Sequence, residues 1–378
     1  MFRLKFIIFT TLIAILPSCR PSGEGDFPTD GVETADTLTL HSRLLTIAEL
    51  PESPATLVDI RSPWDSAAYL ARYVLVPRDS VLPEKLPDNR RLLRTPLESI
   101  AVFSSVHTSA MAELDALGAL SAVADGRFFL PGDTVRALLE ARKISDVGAA
   151  ASPSLEKLIA SRAQAVLLSP MQGIQLPALP PKAVAIPMAD YLETSPIGRA
   201  EWILLIGKLF GKDKEAAGIL DKVVNDYCDL QFKAALTSER PLVITETEYG
   251  GAWYVPAGDS YMSHIIRDAG ARTPWSDTPG TGSLTLNMER VLAEGSEADY
   301  WLIRSYGPTT LSSLKDANPL NAKFKAWREG GVYFCDTSEK PIFNDVAFHP
   351  ERVLADMIAI FHPSALPDHQ SRYYSQVR

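Results

Sequence analysis

The residues that could do chemistry in this chain cluster just after its apolar runs. In the first half these are Ser104-Ser105 with His107, Asp125-Gly126-Arg127-Phe128-Phe129, Ser169-Pro170-Met171-Gln172 and Asp190-Tyr191. In the second half they are Tyr249-Gly250-Gly251-Ala252-Trp253-Tyr254, Trp275, Arg304-Ser305-Tyr306 and Phe343-Asn344-Asp345. Aromatic side chains dominate. They would bury the apolar faces of a large ring or chelate, while Arg127 and Arg304 could meet propionate, phosphate or catecholate charge. The candidate ligand contacts are therefore Ser105, His107, Arg127, Phe128, Met171, Tyr191, Tyr249, Trp253, Tyr254, Trp275, Arg304 and Tyr306. Each aromatic taken singly also reads as core packing. The Tyr249–Tyr254 stretch stands apart because Gly250-Gly251 predicts a turn that brings backbone close to a bound group.

Other chemistries find little support. A free zinc or manganese site needs about four His, Asp or Glu ligands, and the six histidines are scattered. His107 reads as a polar loop residue or an axial contact to an already chelated metal. The chain has no CxxC pair, no G-x-S-x-G, no H-E-x-x-H and no P-loop; Gly280-Thr281-Gly282 lacks the third glycine of a dinucleotide fingerprint. No catalytic residues, resident metal or cofactor are assigned. An exported α/β enzyme remains the rival reading from another class.

These residues need elements to hold them. Ile100–Phe103, Ala122–Ala124, Ala165–Leu168 and Ala183–Pro187 read as buried strands, with helices around Ala110–Gly118, Thr134–Ala141 and Ser154–Ser161 between them. Such alternation predicts a parallel sheet covered on both faces, and ligands gather at the carboxyl ends of its strands. The pattern restarts with strands at Pro241–Thr245, Tyr300–Ile303 and Val332–Phe334, and helices at Tyr261–Ala269, Leu286–Ala293 and Arg352–Phe361.

Between the halves lies the longest helical signal. Trp202, Leu205, Ile206, Leu209, Ala216, Leu220, Val223, Val224 and Tyr227 recur at three- and four-residue steps. Gly211 followed by Lys212-Asp213 predicts a C-cap and a new N-terminus, hence two helices in near continuity, the second reaching about Leu236. The fold class is α/β: two Rossmann-like lobes with central parallel sheets, joined by a long inter-domain helix.

The amino terminus reads as an export signal. Arg3 and Lys5 precede an apolar run, Phe6–Leu16, that is shorter than the roughly 20 residues needed to span a bilayer. Leu16-Pro17-Ser18-Cys19 resembles a bacterial lipobox, with Cys19 as the lipidated residue. Pro21–Asp36 is small, polar and acidic, as a tether would be. Thr37–Ile47, Leu57–Ile60 and Tyr73–Val76 read as strands of an N-terminal sheet extension. The expected organisation is 1–18 signal peptide, 19–36 tether, 37–195 first lobe, 196–236 helical spine and 237–378 second lobe. A net charge of −9 without a basic stripe argues against a nucleic-acid partner. Cys228 and Cys335 read as buried thiols, and the exported compartment leaves a disulfide between them open.

From Ile100 to Phe361 the chain resembles the solute-binding proteins of ABC importers for vitamin B12, ferric siderophores and haem. Ala112–Leu120, Asp146-Val147-Gly148 with Pro153–Ile159, the helix Trp202–Leu236, and Leu284–Leu292 carry the resemblance through their order and spacing. It implies a periplasmic, membrane-anchored binding lipoprotein whose ligand is a metal chelate, ferric siderophore or haem, with a corrinoid as the alternative. It also implies a permease and ATPase complex as partner, docked through one surface glutamate on each lobe, at Glu156 and Glu289. A solvated first-turn helix residue is the competing reading of each glutamate. A scavenger that passes its chelate to another surface protein would share the cleft without needing them. A helical spine also predicts small lobe closure.

Overall fold

The computed structural model describes residues 37–51, 53–83, 88–130 and 132–378. The expected signal segment, Cys19 and the tether lie outside them. The described chain opens with strands β1 Leu45–Glu49, β2 Thr56–Arg61, β3 Tyr69–Pro77 and β4 Arg91–Thr95. The first three pair antiparallel and β4 joins β3 in parallel. Strand alternation gives this sheet two apolar faces. Leu45, Ile47, Val58, Ile60, Tyr73, Leu75 and Leu93 enter the core of the first lobe. Ala55, Leu57, Val74 and Val76 form a small cluster of their own. Tyr73 fixes the docking by donating its hydroxyl to the Ala185 carbonyl at 2.5 Å.

Residues 40–44 run in as a strap rather than a strand, which is why β1 begins later than the sequence predicted. The buried Glu201 carboxylate accepts the backbone N–H groups of Leu40, His41 and Ser42 at 2.7–2.9 Å. Glu193, also buried, accepts those of Arg43 and Leu44 at 3.1 and 2.9 Å, the Ser42 hydroxyl and the Trp202 indole N–H. Burial raises the Glu193 carboxyl above its ordinary value, partly offset by these bonds.

The first lobe holds β5 Ile100–Val102, β6 Leu120–Val123, β7 Ser145–Asp146, β8 Ala165–Leu168 and β9 Val184–Pro187 with helices α1 Ser105–Glu113, α2 Thr134–Glu140 and α3 Leu155–Ser161. Its sheet is fully parallel in the order β7-β6-β5-β8-β9. That order reverses at β5, so the loops after β5, β6 and β8 converge where a ligand would sit.

Next come α4 Pro196–Ala200, α5 Trp202–Phe210 and α6 Asp213–Ala235. Ser195 caps α4, and Gly211 ends α5 in the left-handed region at φ 65°. Gly207 is needed for a different reason: a Cβ there would lie 2.6 Å from the Ala216 Cβ, closer than two carbons can approach. The 23-residue α6 is about 35 Å long. It contributes Ala216, Leu220 and Val223 to the first core and Tyr227 and Ala234 to the second, so it is a member of both lobes.

The second lobe contains β10 Val243–Thr245, β11 Glu248–Tyr249, β12 Ala252–Pro256, α7 Tyr261–Asp268, β13 Ser283–Leu286, α8 Met288–Gly295, β14 Tyr300–Ser305, α9 Leu311–Ala317, α10 Lys325–Glu329, β15 Val332–Asp336, α11 Ile342–Phe348, α12 Pro350–Phe361 and β16 Ser375–Gln376. Its main sheet is parallel through β10-β14-β15, and β16 closes the edge antiparallel. A separate antiparallel sheet, β11-β12-β13, departs from the expected purely parallel lobe. Because Ser283–Leu286 is a strand, the helix expected from Leu286 begins at Met288 instead. Cys335 is a buried free thiol, so it does not bridge to Cys228, and burial pushes it up to about 12.

Candidate ligand cleft

The lobes meet along α1 and α11, where the Ser105 hydroxyl donates to the Asn344 side-chain oxygen at 2.8 Å. Above that contact a cavity of about 850 Å3 opens at the carboxyl ends of β10 and β14. The first lobe supplies Tyr191 and Leu192; the second supplies Tyr249, Tyr254, Tyr261, Tyr306, Glu246 and Arg304 among others. This volume lies within the range of small-molecule sites, and five tyrosines give it apolar faces with polar tips.

Five of the twelve sequence-predicted contacts line this cavity: Tyr191, Tyr249, Tyr254, Arg304 and Tyr306. Strand geometry explains the outcome around Gly250-Gly251. These glycines, at φ 61° and 83°, form the two-residue turn of the β11–β12 hairpin, and a Cβ at either would meet open space. The hairpin itself requires left-handed backbone at both positions. Alternation along β12 then turns Tyr254 outward and Trp253 inward. Trp253 is fully buried, its indole N–H donating to the Thr245 carbonyl at 2.8 Å and its ring packed on Trp301 and Phe324. Trp275 is likewise a core residue, 2% exposed, with its indole N–H on Glu294 at 2.5 Å. Both tryptophans are corrected from ligand contacts to core.

The other five fall outside the cavity lining. His107 is 1% exposed and faces Asp190 through Nε2 at 2.9 Å, which closes it off from any axial contact. Ser105 is engaged with Asn344. Arg127 lies flat over Phe128, 4.6 Å from guanidinium carbon to ring centroid. Phe128 and Met171 are both exposed and do not line the cavity.

Beneath Tyr191 sits a buried charge network. Asp190 faces His107 and accepts from Arg199 Nε at 3.2 Å, and the Arg199 guanidinium stacks 4.7 Å over the Tyr261 ring. Burial alone would raise the Asp190 carboxyl, but its two partners hold it below the ordinary carboxylate range. The network joins the first lobe, α4 and α7, and so fixes the cavity floor. Among the described residues no group of three or more His, Cys, Asp or Glu could hold a metal ion.

The residue that sequence reasoning missed is Glu246. It lies just after β10 in the left-handed region at φ 66°, rare for a residue with a side chain. Its N–H donates to the Leu302 carbonyl at 2.9 Å, and its own carbonyl accepts the Trp301 indole N–H at 2.7 Å. Its carboxylate then takes Arg304, through Nε at 2.8 Å and a shorter contact from Nη2. Burial works against the Arg304 charge, yet the paired carboxylate holds this guanidinium well above its usual value.

Glu156 and Glu289 are both exposed and occupy equivalent local positions. Each is the second residue of its helix, after an N-cap whose side chain accepts a backbone N–H, Ser154 for α3 and Asn287 for α8.

Two α/β lobes pinned by one helix with a cleft between them define a solute-binding protein. The periplasmic binding protein family model matches residues 106–339, more than half of the chain, and this protein belongs to that family. An uncharacterized lipoprotein of Methanocaldococcus jannaschii is 27% identical over 319 residues, covering 80% of this chain and 75% of the relative. A periplasmic heme-binding protein of Pseudomonas aeruginosa superposes with a TM-score of 0.55 at 15% identity, covering 74% of this chain and 98% of that one. An ABC-type Fe3+-hydroxamate transport system protein of Saccharomonospora viridis does so with a TM-score of 0.53 at 17% identity, covering 71% and 94%. The matched region begins within α1, after β1–β5. Among the described residues no helix is long and apolar enough to cross a membrane.

Proposed function

We propose that this protein captures a metal chelate, a ferric siderophore or haem, in the inter-lobe cavity and delivers it to the permease and ATPase complex of an ABC importer. The observation that carries this reading is the cavity itself, to which both lobes contribute and which five tyrosines line around one ion pair. Haem-binding and ferric-hydroxamate proteins among its structural neighbours support it, and the corrinoid reading shares the same cavity. Attachment to the membrane through a lipid on Cys19, with the body in the bacterial periplasm, is the matching location, supported by the lipoprotein relative and the lipobox-like Leu16–Cys19.

In this reading Glu156 and Glu289 dock on basic residues of the permease. Exposed carboxylates on two separate lobes can report the lobe arrangement through charge-assisted hydrogen bonds. Calorimetric titration of the protein from Arg20 onward with haemin, ferric siderophores and cyanocobalamin tests the cargo. Saturable binding of one chelate is expected, and silence to all would overturn the reading. Charge reversal of both glutamates separates importer from scavenger: uptake should fall while ligand affinity holds, and unchanged uptake would remove the docking role.

A further inference from the structure

We infer that Glu246 sets the charge of the accepted ligand: by neutralising Arg304 inside the cavity, it selects chelates without net charge over polyanionic ones. The inference rests on the chelate reading above and adds the class of chelate.

Three observations carry it. First, among the residues lining the cavity, Glu246 and Arg304 are the charged ones, and they face each other. The wall therefore presents no net charge, and its tyrosine tips offer dipoles instead. A polyanion entering would lose water without gaining a free counter-charge, and that loss is what makes unpaired charges costly to bury. Second, the Arg304 guanidinium is committed: Glu246 takes its Nε and Nη2, and the Phe343 ring lies 5.5 Å from it. The other candidate cation, Arg127, is stacked on Phe128 and lies outside the lining. Third, the carboxylate is delivered by a backbone held at φ 66° by the Leu302 and Trp301 contacts. A left-handed non-glycine residue persists where surrounding structure over-determines it, which marks functional positions more often than others.

The experiment compares ferrichrome, a neutral ferric trihydroxamate, with ferric enterobactin, a trianionic tris-catecholate, and with haemin and cyanocobalamin. Each is titrated calorimetrically into the wild-type protein, Glu246→Gln and Arg304→Gln. Wild type should bind a neutral chelate in preference to the trianion. Glu246→Gln, which leaves Arg304 charged and unpaired, should gain affinity for the trianion by at least about tenfold, or roughly 1.4 kcal/mol. Arg304→Gln should instead favour ferrioxamine B, a cationic trihydroxamate, by a similar factor. Wild type binding the trianion more tightly than any neutral chelate would overturn the filter and leave the chelate reading standing. Rejection of the trianion that persists in Glu246→Gln would also overturn it. Silence from every chelate would remove the chelate reading and the filter together. If one variant fails to fold, the other still reads the pair through its own shift in charge preference.

Discussion

His349 bridges the lobes outside the cavity lining, and its titration should make their junction pH-sensitive. Its Nε2 meets Glu113 at the end of α1 at 2.6 Å, and its Nδ1 meets Glu351 in the first turn of α12 at 3.0 Å. Arg352 and Asp345 flank the group. Burial opposes the imidazolium, but the two carboxylates outweigh it and raise His349 from 6.5 to about 9. At about 1.4 kcal/mol per decade this corresponds to about 3 kcal/mol of folded-state stabilisation. Since the Glu113 side chain is 35% exposed, solvent screening reduces the expectation to about 2 kcal/mol. A raised folded-state value means the contribution is complete below the unfolded value of 6.5 and is lost as pH rises through about 9. On the acid side Glu113 is held below its ordinary value by its hydrogen bond to His349, so the pair survives mild acid. Thermal melting of wild type and His349→Gln across this range reads the effect. The variant should melt roughly 4 °C lower near pH 6, with the gap closing as pH passes about 9. A gap that stays constant with pH would refute the reasoning, because the loss would then be one of packing and not of charge.

Two further perturbations test the assignment of core against cleft. Trp253→Ala should cost about 3–5 kcal/mol in stability through the cavity it leaves, whereas Tyr254→Ala next to it should leave urea unfolding nearly unchanged and weaken ligand binding. Equal destabilisation by both would contradict the alternation of β12. Gly207→Val should destabilise by about 2 kcal/mol or more by driving a side chain into Ala216, and a melting temperature equal to wild type would show that α5 and α6 can separate there.

Much of the frame was legible because it rests on strong periodic signals. Apolar runs such as Ala165–Leu168 are strands buried on both faces, and the three- and four-residue spacing from Trp202 to Tyr227 with Gly211 between marked the spine. The cleft was only half legible. A tyrosine and a tryptophan one residue apart on a strand point to opposite faces, and in Ala252–Pro256 nothing in the residue types tells which face meets the core. Reading this stretch as a loop hid the alternation that sends Trp253 inward. Glu246 carried no signal either, because its importance comes from a backbone conformation and from Arg304, which lies 58 residues away in sequence. His107 and Asp190 looked like cleft residues because they follow strands β5 and β9; their pairing with each other and with Arg199 put them beneath the surface instead.

The strap at residues 40–44 has a mechanical consequence. Five backbone N–H groups there point into two buried carboxylates, Glu201 and Glu193, on either side of α4. Tension arriving along the chain from its amino-terminal side would meet the pairing of Thr37 and Leu38 with β1 and then load these bonds. The carboxylates stand at the root of the helical spine, so part of such a load would pass directly into the helices that join the lobes. A pull would thus be shared between the edge strand of the first lobe and the base of the spine.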